Sequence, residues 1–61
     1  MTNTQLRRVL RRLELSQMEL ARQINVDPRT VRRWVRGDQT VPKAVEELLK
    51  AWQQLGRHFE G

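Results

Sequence analysis

Helix start signals and stop signals follow one another so closely along this chain that only short helices fit between them. Thr2 with Gln5, and Ser16 with Glu19, have the spacing of the capping box, in which each residue of the pair bonds the backbone amide of the other at a helix start. The first two helices are therefore predicted to run to about residues 13 and 24. Asn25 tolerates a left-handed backbone and can end the second helix.

Proline and glycine mark two further helices. Asp27 has the position of the N-cap of a third helix, because it precedes Pro28 and proline suits the first helical position. Gly37 supplies the left-handed position that ends this third helix. Pro42 opens a fourth helix, which ends before Gly56. The punctuation thus predicts an all-α fold, a compact domain of four to five helices.

The apolar residues of the first three helices recur at helical spacing and predict one shared core. Its expected members are Leu6, Val9, Leu10, Leu13, Leu20, Ala21, Ile24, Val31, Trp34 and Val35. Trp34 has the angular position of Val31 and Val35, which favours packing in the core over stacking on a base. The four arginines of the third helix fall together within about 100° on its other side.

Charge is distributed unevenly along the chain. Residues 1–36 contain nine arginines and three acids, a net charge of +6, whereas residues 37–61 contain three bases and four acids, a net charge of −1. So basic a surface indicates an acidic partner such as nucleic acid or an anionic membrane. Arginine outnumbers lysine ten to two, and its planar guanidinium suits phosphate and guanine edges better than a compact ammonium does.

Composition argues against several classes of protein. The sequence has no cysteine, and its single histidine, His58, has no companion ligand. We therefore expect no metal, no cofactor and no enzymatic activity. No apolar run approaches the roughly 20 residues of a membrane span. We expect a cytoplasmic protein with neither a membrane contact nor a small-molecule ligand.

The second and third predicted helices, joined by a turn at residues 25–27, form a helix-turn-helix, a motif whose second helix enters the major groove of DNA. The stretch LSQMELARQINVDPRTVRRWVRGDQTVP resembles the Cro and phage-repressor type of helix-turn-helix family, also called XRE-like. The residues that carry the resemblance are Leu15, Ser16, Gln17, Glu19, Leu20, Ala21, Val26, Thr30, Val31, Trp34, Gly37 and Pro42.

The resemblance implies a fold of the lambda-repressor-like type. Residues 1–61 would form a single domain, with the helix-turn-helix at about 16–37, helix four at about 42–55 and a short tail at 56–61. The chain departs from the family in having Asn25 where glycine is usual. Val35 and Arg36 also stand where the family usually has an acidic residue after the tryptophan, which adds positive charge at the end of the third helix.

The same resemblance implies roles for individual residues. In relatives, some positions of the third helix meet base edges, and here they correspond to Arg29, Arg32 and Arg33. Other positions hold the phosphate backbone, with a clamp at the start of the second helix that the Ser16 and Gln17 amides assist. The corresponding residues are Ser16, Gln17, Thr30, Arg36 and Lys43.

Two surfaces are open to alternative interpretations. The basic face of the first helix either contacts flanking phosphates or keeps the chain in solution. Apolar residues on the fourth helix span an arc of about 160°, wider than one core usually requires. The excess either closes the core or forms a homodimer surface, which we expect to comprise Leu48, Trp52, Leu55 and Phe59.

These observations favour a regulator that binds double-stranded DNA sequence-specifically and represses transcription as a homodimer on an inverted repeat. Small phage regulators of this family, including those encoded beside anti-CRISPR genes, commonly repress their own operon, and the resemblance permits the same here. Two alternatives stay open. One is an antitoxin-like module that mainly binds another protein, and the other is a charge-driven, non-specific nucleic-acid binder.

Overall fold

The computed structural model describes residues 1–56, and in these residues it contains helices and no strand. The helices are α1 (Asn3–Arg12), α2 (Gln17–Ile24), α3 (Pro28–Arg36) and α4 (Lys43–Gln54). The predicted all-α fold class is confirmed, and the helix boundaries agree with the predicted ones to within one or two residues.

Both predicted capping boxes form. The Gln5 amide donates to the Thr2 hydroxyl at 3.1 Å and the Thr2 amide donates to Gln5 Oε1 at 2.8 Å. At the start of α2 the Glu19 amide donates to the Ser16 hydroxyl at 3.1 Å and the Ser16 amide donates to Glu19 Oε1 at 3.3 Å. Each box supplies partners for backbone amides that have none within the helix.

The ends of the helix-turn-helix also follow the sequence. Asn25 caps α2 with a left-handed backbone, φ 59° and ψ 48°. The Arg29 amide donates to Asp27 Oδ1 at 2.8 Å, so Asp27 caps α3, and Gly37 at φ 84° ends it. A side chain at Gly37 would be strained by the positive φ and would meet the Asn3 side chain at 3.4 Å.

One hydrophobic cluster joins all four helices. Each helix contributes one side chain with no exposed surface, namely Leu6, Leu20, Val31 and Leu49. Trp34 belongs to the same cluster, which confirms its predicted packing in the core. Ile24, which was expected in the core, is only partly buried and packs against this cluster. Complete burial stabilises the folded state by about 1.5 to 3 kcal/mol for each aliphatic side chain of this size.

The apolar residues of α4 divide into two groups. Leu49 and Trp52 are buried, and Val45 is half-buried against the core. Trp52, with 9% of its surface exposed, is therefore a core residue and has little surface left for a partner. Leu48 is 37% exposed and Leu55 is 72% exposed, whereas Phe59 lies outside the described residues.

Two contacts that the sequence did not predict tie the helices together. Asn3 Nδ2 donates to the Val35 carbonyl at 3.4 Å, which joins the start of α1 to the end of α3. Val41 is 3% exposed and anchors the loop between α3 and α4 in the core. Because α1 begins where α3 ends, one side of α1 faces α3.

We expect the turn to depend on the left-handed residue between α2 and α3. Asn25→Ala should lower the unfolding free energy by about 1 kcal/mol, because alanine keeps the β-carbon but lacks the short polar side chain that lets asparagine adopt the left-handed conformation at lower cost. The melting temperature should fall by about 4 to 8 °C, as is usual for 1 kcal/mol in a domain of this size.

The matched variant is Asn25→Gly, which accepts the same backbone without a β-carbon and should melt close to the unmodified protein. Thermal unfolding followed by circular dichroism compares the two variants. Equal losses in both would show that the Asn25 side chain, and not the backbone conformation, stabilises the turn.

Candidate nucleic-acid interface

Helix α3 has two opposite faces. Val31, Trp34 and Val35 are buried, and they lie on one side of the helix. The arginines of α3 occupy the other side and are all exposed. They are Arg29, Arg32, Arg33 and Arg36. With the apolar face held in the core, the helix has no freedom to rotate this basic face away from solvent.

Three of these arginines have no acidic partner among residues 1–56. No ion pair to Arg29, Arg32 or Arg33 occurs within residues 1–56. Arg36 differs, since its Nε lies 3.5 Å from Asp38 Oδ2, with both side chains well exposed. The centre of the face therefore has uncompensated charge, while the end nearest the α3–α4 loop is partly neutralised.

The start of α2 offers backbone donors as well as a side chain. Gln17 is exposed at the first helical position. Ser16 and Glu19 bond each other in the capping box, so the Ser16 amide is already occupied. This corrects the expectation that the Ser16 amide assists a phosphate clamp. At the start of α2, the Gln17 and Met18 amides have no acceptor among residues 1–56.

Close packing of α2 on α3 fixes these two features relative to each other. Ala21 is 1% exposed, and its small side chain lets the helices approach. The Val26 amide donates to the Ala21 carbonyl at 2.9 Å, which holds the turn against the end of α2. Helix α2 and helix α3 make the most extensive contact of any helix pair in the described chain.

Two remaining predicted phosphate-binding residues lie on α3 and at the start of α4. Thr30 is half-buried on α3, and Lys43 is exposed at the first position of α4. The loop between them is held by the Asp38 and Gln39 amides, which both donate to the Arg33 carbonyl, at 2.9 and 3.3 Å.

Two positions in this region refine the sequence analysis, which made no prediction for Met18 and placed Val35 in the core. Met18 is 61% exposed beside Gln17, although we assigned it no role. Its place between Ser16 and Glu19 in the capping box could have indicated that exposure. Val35 is 6% exposed and packs in the core, so of the two unusual residues after Trp34 only Arg36 changes the surface.

Other kinds of site have no support in the described part of the chain. Residues 1–56 contain no group of three or more histidine, cysteine, aspartate and glutamate side chains that could hold a metal ion. None of the helices there is long and apolar enough to cross a membrane.

Comparison with known protein families identifies a match. A family model described as helix-turn-helix matches residues 6–57, which is most of the chain and includes all of α2, α3 and α4. The comparisons with curated proteins and with solved structures gave no match.

The Arg36–Asp38 ion pair leads to a prediction about duplex DNA. Asp38→Asn should raise affinity for all duplexes alike, by about twofold to fivefold, because an exposed ion pair of this kind is worth at most about 1 kcal/mol. The Asp38 carboxylate competes for the Arg36 guanidinium, and its removal frees Arg36 for a phosphate.

Fluorescence anisotropy with a labelled duplex at fixed salt measures this change. Glu47→Gln is the matched control, since it removes the same charge from an exposed position on α4. An equal gain in affinity from the control would attribute the effect to net charge, and not to the ion pair.

Proposed function

The chain belongs to the Cro and phage-repressor (XRE-like) helix-turn-helix family of DNA-binding transcription regulators, and from this premise we propose that it is a sequence-specific repressor. It binds as a homodimer to an inverted repeat and blocks the promoter that the repeat overlaps. The proposal includes residues 1–61 as one domain and a cytoplasmic location in a bacterial or phage-infected cell. A small phage regulator that represses its own operon fits this description.

One observation carries the proposal. Three of the four guanidinium groups on the outer face of α3 have no ion pair within residues 1–56, and they lie opposite a buried apolar face. A major groove admits one α-helix, and arginine binds the O6 and N7 atoms of guanine through two hydrogen bonds. We assign base reading to Arg29, Arg32 and Arg33, with about 1 to 3 kcal/mol of discrimination for each good contact.

The phosphate contacts in this proposal surround the base-reading residues. The Gln17 side chain and the Gln17 and Met18 amides bind one phosphate at the positive end of α2. The Ser16 hydroxyl, which accepts from Glu19, still has a proton to donate. Thr30, Arg36 and Lys43 complete the set, and Arg36 exchanges Asp38 for a phosphate when DNA binds. These contacts set register and carry no sequence preference.

The homodimer surface in this proposal is the exposed side of α4. Ala44, Leu48, Ala51 and Leu55 are all exposed and recur at intervals of four, three and four residues, which places them on one side of the helix. In an antiparallel pair of α4 helices centred between Leu48 and Ala51, each leucine faces an alanine of the second copy. Large side chains then pack against small ones along the whole strip.

A dimer gives the small domain its affinity. One copy buries only the face of α3 and its surroundings, whereas two linked copies reach half-sites about 34 Å apart and bind them as one unit. Selection from random duplexes measures both features, because an enriched inverted repeat requires sequence preference and two-fold symmetry. Enrichment of no sequence would instead support the charge-driven binder.

The division between base-reading and phosphate residues predicts two kinds of variant. Arg33→Ala should weaken binding to the selected operator by about 1 to 3 kcal/mol and relax the preference at particular base pairs. Gln17→Ala should weaken operator and unrelated duplexes alike, because it removes a phosphate contact.

Titrations of both duplexes at one salt concentration separate these outcomes. Val31 and Trp34 are untouched in both variants, so circular dichroism should be unchanged. An operator affinity unaffected by Arg33→Ala would remove α3 as the reading helix and favour the antitoxin-like interpretation.

The α4 strip predicts the effect of polar substitutions on assembly. Leu48→Gln combined with Leu55→Gln should shift sedimentation from dimer to monomer and lower operator affinity by at least about tenfold, through loss of the linked second site. For sedimentation, Met18→Gln is the control, since it removes an exposed apolar side chain away from α4. A dimer that survives the double substitution would exclude this strip as the interface.

A further inference from the structure

The four arginines of α1 form two pairs on different flanks of the helix. At about 100° per residue, Arg7 and Arg11 fall on the flank that includes Asn3. Asn3 donates to the Val35 carbonyl, so this flank faces α3. Arg8 and Arg12 fall on the other flank and line a groove between α1 and α4 with a volume of about 350 Å³.

Charge in this groove is strongly unbalanced. Arg8, Arg12 and Lys50 line it, and Glu46 is its one acidic residue among those described. Glu46 is already paired, since its carboxylate lies 3.7 Å from Lys50 Nζ and 3.4 Å from the Met1 amino group. Arg8 and Arg12 have no ion pair within residues 1–56.

The concave shape of the groove strengthens the attraction of its positive charge for anions. The groove also includes Val9, which is 7% exposed, and Met1, which packs against the core. Clefts with one sign of charge and apolar walls concentrate the electric field and attract counter-charges more strongly than an open face does. Arg8 and Arg12 therefore differ from a solvated row of arginines.

We propose that the α1–α4 groove binds an acidic segment of a partner protein through Arg8 and Arg12. One helical turn separates the two residues, about 6 Å along the axis. Carboxylates at alternate positions of an extended segment repeat at about 6.7 Å, which matches this spacing. Each carboxylate can then form a charge-assisted pair with one guanidinium.

The groove is independent of the DNA-binding face. It contains no residue of α2 or α3 and none of the exposed apolar strip of α4. A duplex held against the arginines of α3 leaves the groove open, so an acidic partner and DNA can bind together. This second binding activity goes beyond repression by occupancy, because it would connect the DNA-bound regulator to another protein.

The test uses a labelled peptide of alternating glutamate and serine, with a peptide of alternating glutamine and serine as the uncharged control. Fluorescence anisotropy at fixed salt compares Arg8→Gln/Arg12→Gln with Arg7→Gln/Arg11→Gln, which removes the same charge from the other flank. We expect the first pair to lose about tenfold in affinity for the acidic peptide and the second less than about threefold.

Two further measurements separate this proposal from the proposed repressor function. Arg33→Ala should bind the acidic peptide normally, and excess duplex should fail to displace the peptide from the unmodified protein. Equal losses from the two α1 variants would overturn the proposal in favour of diffuse attraction. Displacement by duplex, or a loss confined to duplex binding in Arg8→Gln/Arg12→Gln, would overturn it in favour of a phosphate contact.

Discussion

The close approach of α2 to α3 is the constraint on which the rest of the structure depends. It requires a small residue at Ala21, a turn of three residues, and a left-handed backbone at Asn25, and all three are present. Once the two helices are held at this distance, Leu20 and Val31 are completely buried. The outward direction of the α3 arginines follows from that burial, since one helix cannot turn both faces inward.

The packing of the helices determines which surface each arginine occupies. The chain has nine arginines before Gly37, and the structure distributes eight of them over three separate exposed surfaces. The outer face of α3 has one set, and the two flanks of α1 have the others. Since only Arg36 has an acidic partner among these residues in the described chain, each surface keeps its own attraction for anions.

Local sequence rules predicted the helix ends, because each end depends on contacts within three or four residues. The capping pairs Ser16 with Glu19 and Asp27 with Pro28 form between near neighbours in the sequence, so they can be predicted without the tertiary structure.

The features that were not predicted depend on tertiary structure. Val41 is a single apolar residue in a loop, without the periodicity that would mark it as core, and the Asn3 contact joins residues 32 positions apart. For α4, helical periodicity identified the apolar arc that includes Trp52, but it could not predict which part of that arc packs in the core. The roles of the α3 arginines stay predictions, because DNA specificity depends on a partner surface as well as on the chain.

The single fully buried side chain from each helix has a consequence for how the domain unfolds. Leu6, Leu20, Val31 and Leu49 belong to one cluster, so the loss of any one helix exposes core residues of the helices packed against it. Partly folded forms therefore keep little of the stabilising burial, and the domain should lose its structure in a single cooperative transition. The α3 arginines are then aligned only in fully folded molecules, so the concentration of binding-competent regulator equals the total concentration multiplied by the folded fraction.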